Sequence, residues 1–303
     1  MNERVNDRPV TEQVLLMGPR KALVGIVTPA AEGTSASPDR PAVVVLNSGI
    51  IHRVGANRMT VQLCRRLSQH GVDAVRFDLS GIGDSEPRDD GLGLLEASLT
   101  DIKEALDTLE TARGFKRFVL VGLCSGADHA VVYAGRDPRV VGLVLLDPSI
   151  PHTPRYYLNH YARRATRLSS WMNIARGKHP LWQALGQRMG GASHAEPPEE
   201  GARADLDSPE ARAFLSNAYA AAQRSGNRFL AVLTAEREDF HNYREQLLDA
   251  FPDVPFGDRL QLEYHEDTDH TFTAEANRER VIGGIVGWVA AQVVPSTTQG
   301  VRM

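Results

Sequence analysis

Hydrophobic residues in this chain come either in short solid blocks or in longer stripes. Ala42–Leu46, Phe118–Val121, Val140–Leu146 and Phe229–Thr234 are blocks rich in Val, Leu and Phe, and Asp73–Phe77 and Arg259–Tyr264 read as strands of more mixed composition. Runs of ~4–8 apolar residues bounded by turn formers read as strands buried on both faces. Two further strands, Gln13–Met17 and Lys21–Pro29, form an antiparallel pair joined at Gly18-Pro19, and Ala31–Arg40 is a Ser/Pro/Gly-rich surface loop. Between the blocks the period changes. Met59, Leu63 and Leu67 stripe one face of a helix over Asn57–His70, with Gly71 as its stop, and Leu95, Leu99, Ile102, Leu106 and Leu109 stripe another. Cys64 lies beside the first stripe as a packing residue. Buried strands alternating with amphipathic helices predict an α/β fold, a mostly parallel central sheet with helices on both faces.

The alternation stops at Pro148. From Ser149 to Gly226 no strand pattern recurs, while Tyr156–Ile174, Trp182–Met189 and Pro209–Arg224 read as helices and Gly190–Asp207 as a loop. An insertion after a strand's C-terminal end lies over the ligand face of an open α/β sheet, so residues 149–226 are expected to form a helical lid. Residues 11–148 and 227–295 then form the core, closed by helices near Tyr243–Phe251 and Asn277–Val293.

The most informative junction is Arg117–Ala130. Its strand ends in Gly122-Leu123-Cys124-Ser125-Gly126 and a small-residue helical segment follows. Glycines two before and two after a central residue, between strand and helix, make the context of a nucleophile elbow. The turn strains the central residue and needs small neighbours so that the backbones can pack closely. That central residue is Cys124, where serine is commoner; Ser125 is one step out of register and points elsewhere.

Composition narrows the function classes. The chain has 303 residues with 42% hydrophobic and 24% charged side chains, an ordinary globular balance, and a net charge of −4 that gives no reason to expect nucleic acid. No apolar run approaches the ~20 residues that span a bilayer. The opening MNERVNDRPV lacks the apolar core of a signal peptide, which predicts a cytoplasmic protein. Two cysteines, Cys64 and Cys124, are too few for a disulfide framework or a zinc cage, so no metal or organic cofactor is implied. In a reducing compartment Cys124 stays a thiol, which suits a nucleophile.

Four features in order resemble the α/β-hydrolase superfamily over residues 10–293: the elbow, the loop Asn47-Ser48-Gly49-Ile50, the turn Asp78-Leu79-Ser80-Gly81-Ile82-Gly83-Asp84-Ser85, and Thr268-Asp269-His270-Thr271-Phe272. Cysteine at the elbow is similar to dienelactone hydrolases and polyhydroxyalkanoate synthases. The Asn57-Arg58-Met59 start, the Gly71–Ser85 stretch and the Asp269–Phe272 end are similar to serine-aminopeptidase-like and exosortase-associated bacterial hydrolases. The resemblance implies that His270, in the loop after the last strand, is the base beside Cys124. It implies an orienting acid after the strand before the last, where Glu238 and Asp239 both stand; Asp147, after the preceding strand, is a third alternative. It implies an oxyanion hole from the N–H groups of Ser125 and Ile50. His52, just past that loop, is a candidate substrate contact. Asp78, Gly81, Gly83 and Ser85 read as turn formers.

A thiol, an imidazole and a carboxylate in this arrangement support a covalent acyl-enzyme. The expected activity is hydrolysis or acyl transfer on an ester, lactone or thioester. The contrasting reading is a catalytically silent scaffold that binds a ligand or a protein. From Arg155 to Lys178 five arginines and one lysine stand with no acidic residue, interleaved with Tyr156, Tyr157, Tyr161 and Trp171. This stretch is either a solvated lid face or a dock for something acidic, such as CoA, an acyl carrier protein or a carboxylated substrate. The expected partner is a small-molecule acyl substrate, with neither nucleic acid nor membrane.

Overall fold

The computed structural model describes residues 11–31, 40–166, 206–235 and 240–293. Eight strands form one sheet in the order β1-β2-β4-β3-β5-β6-β7-β8. The antiparallel edge is β1 (Gln13–Met17) and β2 (Leu23–Thr28); β3 (Ala42–Val45), β4 (Ala74–Phe77), β5 (Phe118–Leu123), β6 (Val140–Leu146), β7 (Arg228–Thr234) and β8 (Leu260–His265) run parallel to one another. Every residue of β3 and β4 is buried, and β5 and β6 are buried but for one residue each. That is why β3, β5 and β6 run solidly apolar instead of alternating, while the one charged residue of β4, Arg76, is paired with Glu12 (3.3 Å). On the open edge β1 exposes Val14 and Leu16.

Helices cover both faces. One core packs Val44, Leu120 and Leu145 against α2 (Leu94–Arg113), α3 (Ser125–Ala134) and α5 (Pro209–Arg224). The other packs Val45, Val121 and Leu146 against α1 (Met59–Gln69) and α7 (Glu275–Trp288). The α2 stripe buries Leu99, Ile102, Leu106 and Leu109 almost completely. At ~1.5–3 kcal/mol per buried aliphatic side chain, that face outweighs the marginal stability of an isolated helix. Gly114, in the left-handed region at φ 74°, ends it.

The chain leaves the sheet after β6 into α4 (Pro154–Thr166) and returns through α5, whose N-cap Ser208 accepts a hydrogen bond from the Ala211 N–H. Asp207 clasps the two ends of this excursion. Its carboxylate accepts the His152 N–H (2.7 Å), pairs with His152 Nδ1 (2.6 Å) and accepts the Tyr157 hydroxyl (3.0 Å). Helix Trp182–Met189, the end of Tyr156–Ile174 and most of loop Gly190–Asp207 lie outside the described residues. The short α6 (Gln246–Ala250) precedes β8. No helix among the described residues is long and apolar enough to cross a membrane.

Candidate active site

All four features singled out in the sequence sit at the C-terminal edge of the parallel strands. Cys124 caps the N-terminus of α3 with φ 54° and ψ −122°, a strained conformation that a side chain adopts only when its surroundings impose it. The two glycines are what permit it. A Cβ on Gly122 would lie 2.1 Å from the Gly126 carbonyl carbon, and one on Gly126 would lie 2.4 Å from the Asn47 oxygen.

Hydrogen bonds connect this turn to His270. The Cys124 N–H donates to the Leu146 carbonyl (2.9 Å) at the end of the neighbouring β6. The next residue, Asp147, is 3% exposed and itself at φ 43°. Its Oδ2 lies 2.7 Å from His270 Nδ1. That bond puts the proton of a neutral imidazole on Nδ1 and leaves Nε2 with the lone pair that a base needs. Thr234, at the end of β7, holds the carboxylate through its N–H (2.7 Å to Oδ1) and its hydroxyl (2.7 Å to Oδ2). A second imidazole, His241, is buried beside the same carboxylate with Nε2 3.2 Å from Oδ1, off the line of a hydrogen bond. Burial pushes the Asp147 pKa up, but contact with His241, the bond with His270 and the Thr234 hydroxyl outweigh it and hold the carboxyl down at about 2. Asp147 is therefore ionised at neutral pH. Glu238 and Asp239, ranked ahead of it from the sequence, lie outside the described residues.

The loop Thr268–Thr273 that presents His270 is fastened from several sides. Phe272, fully buried at φ 54°, anchors it in the core. Asn57 Nδ2 donates to the Thr271 carbonyl (3.0 Å) and Arg278 to the carbonyls of Phe272 and Thr273 (2.9 and 3.0 Å). Asp269 accepts from the Thr271 and Thr273 hydroxyls (2.6 and 2.8 Å). Of the six described non-glycine residues with positive φ, namely Lys21, Asn57, Arg58, Cys124, Asp147 and Phe272, all but Lys21 belong to this edge. Strain concentrated there is what an over-determined site displays.

Ile50 is 92% exposed on the loop after β3, and Ser125 is the first residue of α3. Among the described residues neither N–H has a hydrogen-bond partner. The Gly49 N–H, one residue before Ile50, donates to Ser125 Oγ (2.7 Å), which ties the loop after β3 to the start of α3. Sequence reasoning left the Ser125 side chain without a role; it pins the loop.

His52 lies on the same rim. Its Nδ1 accepts the Val54 N–H (3.2 Å), and Nε2 faces Asp78 and Asp84 at 3.5 and 3.7 Å. By residue type these three could hold a cation, but the Arg53 guanidinium already bonds both carboxylates. Asp78, fully buried, also accepts from Asn47 Nδ2 (3.1 Å) and the Arg53 N–H (2.6 Å), so the loops after β3 and β4 are one unit. A Cβ on Gly83 would lie 2.3 Å from Asp78 Oδ2. The turn Asp78–Ser85 thus shapes the edge, as its sequence suggested. Of the basic lid stretch, Arg155 pairs with Glu245 (3.4 Å) and lies over the Tyr243 ring (4.3 Å); the side chains of the other four arginines and Lys178 lie outside the described residues.

Sheet order, elbow and a histidine on the loop after the last strand define an α/β hydrolase. The family profile described as serine aminopeptidase, S33, matches residues 38–202, more than half of the chain, and the chain belongs to that family. It departs from the family's name in carrying cysteine at the elbow. Solved structures share the fold at low identity. An esterase of Pyrococcus furiosus is 13% identical with a TM-score of 0.56, the match covering 95% of this chain and 91% of that one. A proline iminopeptidase of Mycobacterium smegmatis is 15% identical with a TM-score of 0.54, covering 92% and 98%. A lidless α/β serine hydrolase of Xanthomonas campestris is 14% identical with a TM-score of 0.52, covering 97% and 100%. No curated protein matches the sequence.

Proposed function

We propose that this hydrolase is of the esterase type and works through a thioester on Cys124, with His270 as base and Asp147 as the orienting acid. The observation that carries the reading is the bonded path from the strained Cys124 through Leu146 and Asp147 to His270 Nδ1. His270 takes the thiol proton, and the N-terminus of α3 favours the thiolate so formed. The thiolate attacks the acyl carbon, and the carbonyl oxygen becomes an oxyanion held by the Ile50 and Ser125 N–H groups. Collapse expels the alcohol or thiol, which takes its proton from the imidazolium. Water, deprotonated by His270, then attacks the thioester and releases the acid and the thiolate. A substrate amine or alcohol in place of water gives acyl transfer by the same steps. The substrate class is an ester, lactone or thioester; carriage of the acyl group on CoA or a carrier protein stays a proposal tied to the basic lid.

The test is mass spectrometry of protein quenched in acid during turnover of an activated ester. One acyl group is expected on the peptide carrying Cys124, released by neutral hydroxylamine and missing in Cys124→Ala. An acyl group on a serine, or undiminished turnover in Cys124→Ala, rejects the mechanism.

A further inference from the structure

Beside the elbow the sheet's edge opens into a hollow. Val45, Val121, Leu123 and Leu146 from the strand ends form one wall, and Met59 and Leu63 of α1 close the floor. It abuts the two loops of the candidate site: Gly122-Leu123, which lead into Cys124, and Asn47-Ser48, which lead into Gly49, all line it. Its outer wall is set in advance. Asn47 Nδ2 donates to the Ile51 carbonyl (2.7 Å), the Ile51 N–H to the Ser48 carbonyl (3.0 Å) and the Gly55 N–H to the His52 carbonyl (2.9 Å).

The electrostatics of the mouth select the occupant. Arg53 is the cation there, and its guanidinium is held by both Asp78 and Asp84. Two carboxylates against one guanidinium leave a net negative charge just behind the lining residues His52 and Arg53, which disfavours an anionic chain end there. We propose that this hollow is a subsite seating a short, uncharged aliphatic group of the substrate, its length limited by Met59 and Leu63. The inference rests on the thiol chemistry proposed above for its meaning, but not for its test. The aliphatic group belongs either to the acyl part or to the alcohol part of an ester, and the assay separates them.

Two ester series are compared on the full chain. One varies the acyl group from acetate to decanoate on a constant p-nitrophenol; the other varies the alcohol from methyl to octyl on a constant acetate. Ala56, on the hollow's lining outside the apolar core, is enlarged (Ala56→Leu and Ala56→Phe), and Met59→Ala deepens the floor. In the series that uses the hollow, Ala56→Phe lowers kcat/KM for the preferred length by about tenfold or more. The shortest member stays within about twofold, and Met59→Ala moves the preference to longer chains. An ester ending in a carboxylate is a poorer substrate than its methyl-ended counterpart of equal length. A second readout needs no turnover: 1-hexanol raises the Tm of the natural chain and not that of Ala56→Phe, with Ala56→Leu between. Chain-length profiles that no variant alters in either series, or equal hexanol stabilisation of all variants, overturn the subsite. If hexanol discriminates the variants while no ester gives Cys124-dependent turnover, the subsite stands and the thiol mechanism falls.

Discussion

The molecule's two cysteines have the same side chain and opposite settings. Cys64 lies inside α1, wholly buried between the helix and the sheet, and burial pushes its thiol up to about 12. Cys124 stands at the sheet's edge, half-buried, in a strained conformation at the N-terminus of α3 and bonded to Leu146, the residue before Asp147. A thiol becomes a nucleophile by its surroundings. The first is a small apolar side chain that happens to contain sulfur. The second stands at a helix N-terminus, a setting that favours charge on sulfur in general, and its strand neighbour β6 leads into the carboxylate that holds His270.

Exchanging the two sites experimentally gives the largest contrast. Cys124→Ala should lower kcat/KM by at least ~10³-fold, the scale on which a covalent nucleophile is lost. Cys64→Ala should leave kcat within about twofold and cost about 1–2 kcal/mol of stability through the small cavity left in the core; urea unfolding measures the second and steady-state kinetics both. Equal losses of activity would erase the distinction.

The acid comes next. Asp147→Asn should lower kcat on the order of 10³–10⁴-fold by removing the acceptor that fixes the His270 tautomer, while Glu238→Gln and Asp239→Asn leave it within about twofold. The reverse ranking would return the acid to the turn after β7. Asp147 has a stability signature too. Its pKa is depressed in the folded chain, so the stabilisation is present above the unfolded value near ~3.9 and is lost as pH falls towards about 2. The gap in urea midpoint between the natural chain and Asp147→Asn should therefore narrow as pH drops from 5 to 2.

The smallest effect concerns the loop after β3. Ser125→Ala removes one hydrogen bond, worth ~0.5–1.5 kcal/mol, between the elbow and Gly49. We expect kcat to fall about 2–10-fold with KM little changed, and Ser125→Thr to recover part of it. A KM effect alone would make Ser125 a substrate contact instead.

These contrasts follow the boundary of what the sequence could reveal. The central strands were legible because burial on both faces writes most of them as solid apolar runs, and Val140–Leu146 and Pro209–Arg224 coincide with β6 and α5. The elbow was legible because only glycine fits at Gly122 and Gly126. Asp147 was harder. An Asp-Pro step after a strand looks like any strand-ending turn, and its hold on His270 depends on register between β6 and a loop 123 residues away. His241 and Thr234 carry no periodic or motif signal; they matter only because β7 ends beside Asp147. The Ser125 hydroxyl was out of register for catalysis, and only the packing of the loop after β3 shows what it bonds.

The central claim concerns the reactivity of one thiol, and alkylation reads it directly. Folded protein is treated with limiting iodoacetamide at neutral pH, and the rate at each cysteine-containing peptide is followed by mass spectrometry, for the natural chain and for His270→Ala. The account predicts fast, stoichiometric labelling at Cys124, slowed about tenfold or more by His270→Ala, with Cys64 untouched until the chain unfolds. Labelling at Cys124 no faster than that of glutathione, and indifferent to His270→Ala, would contradict it.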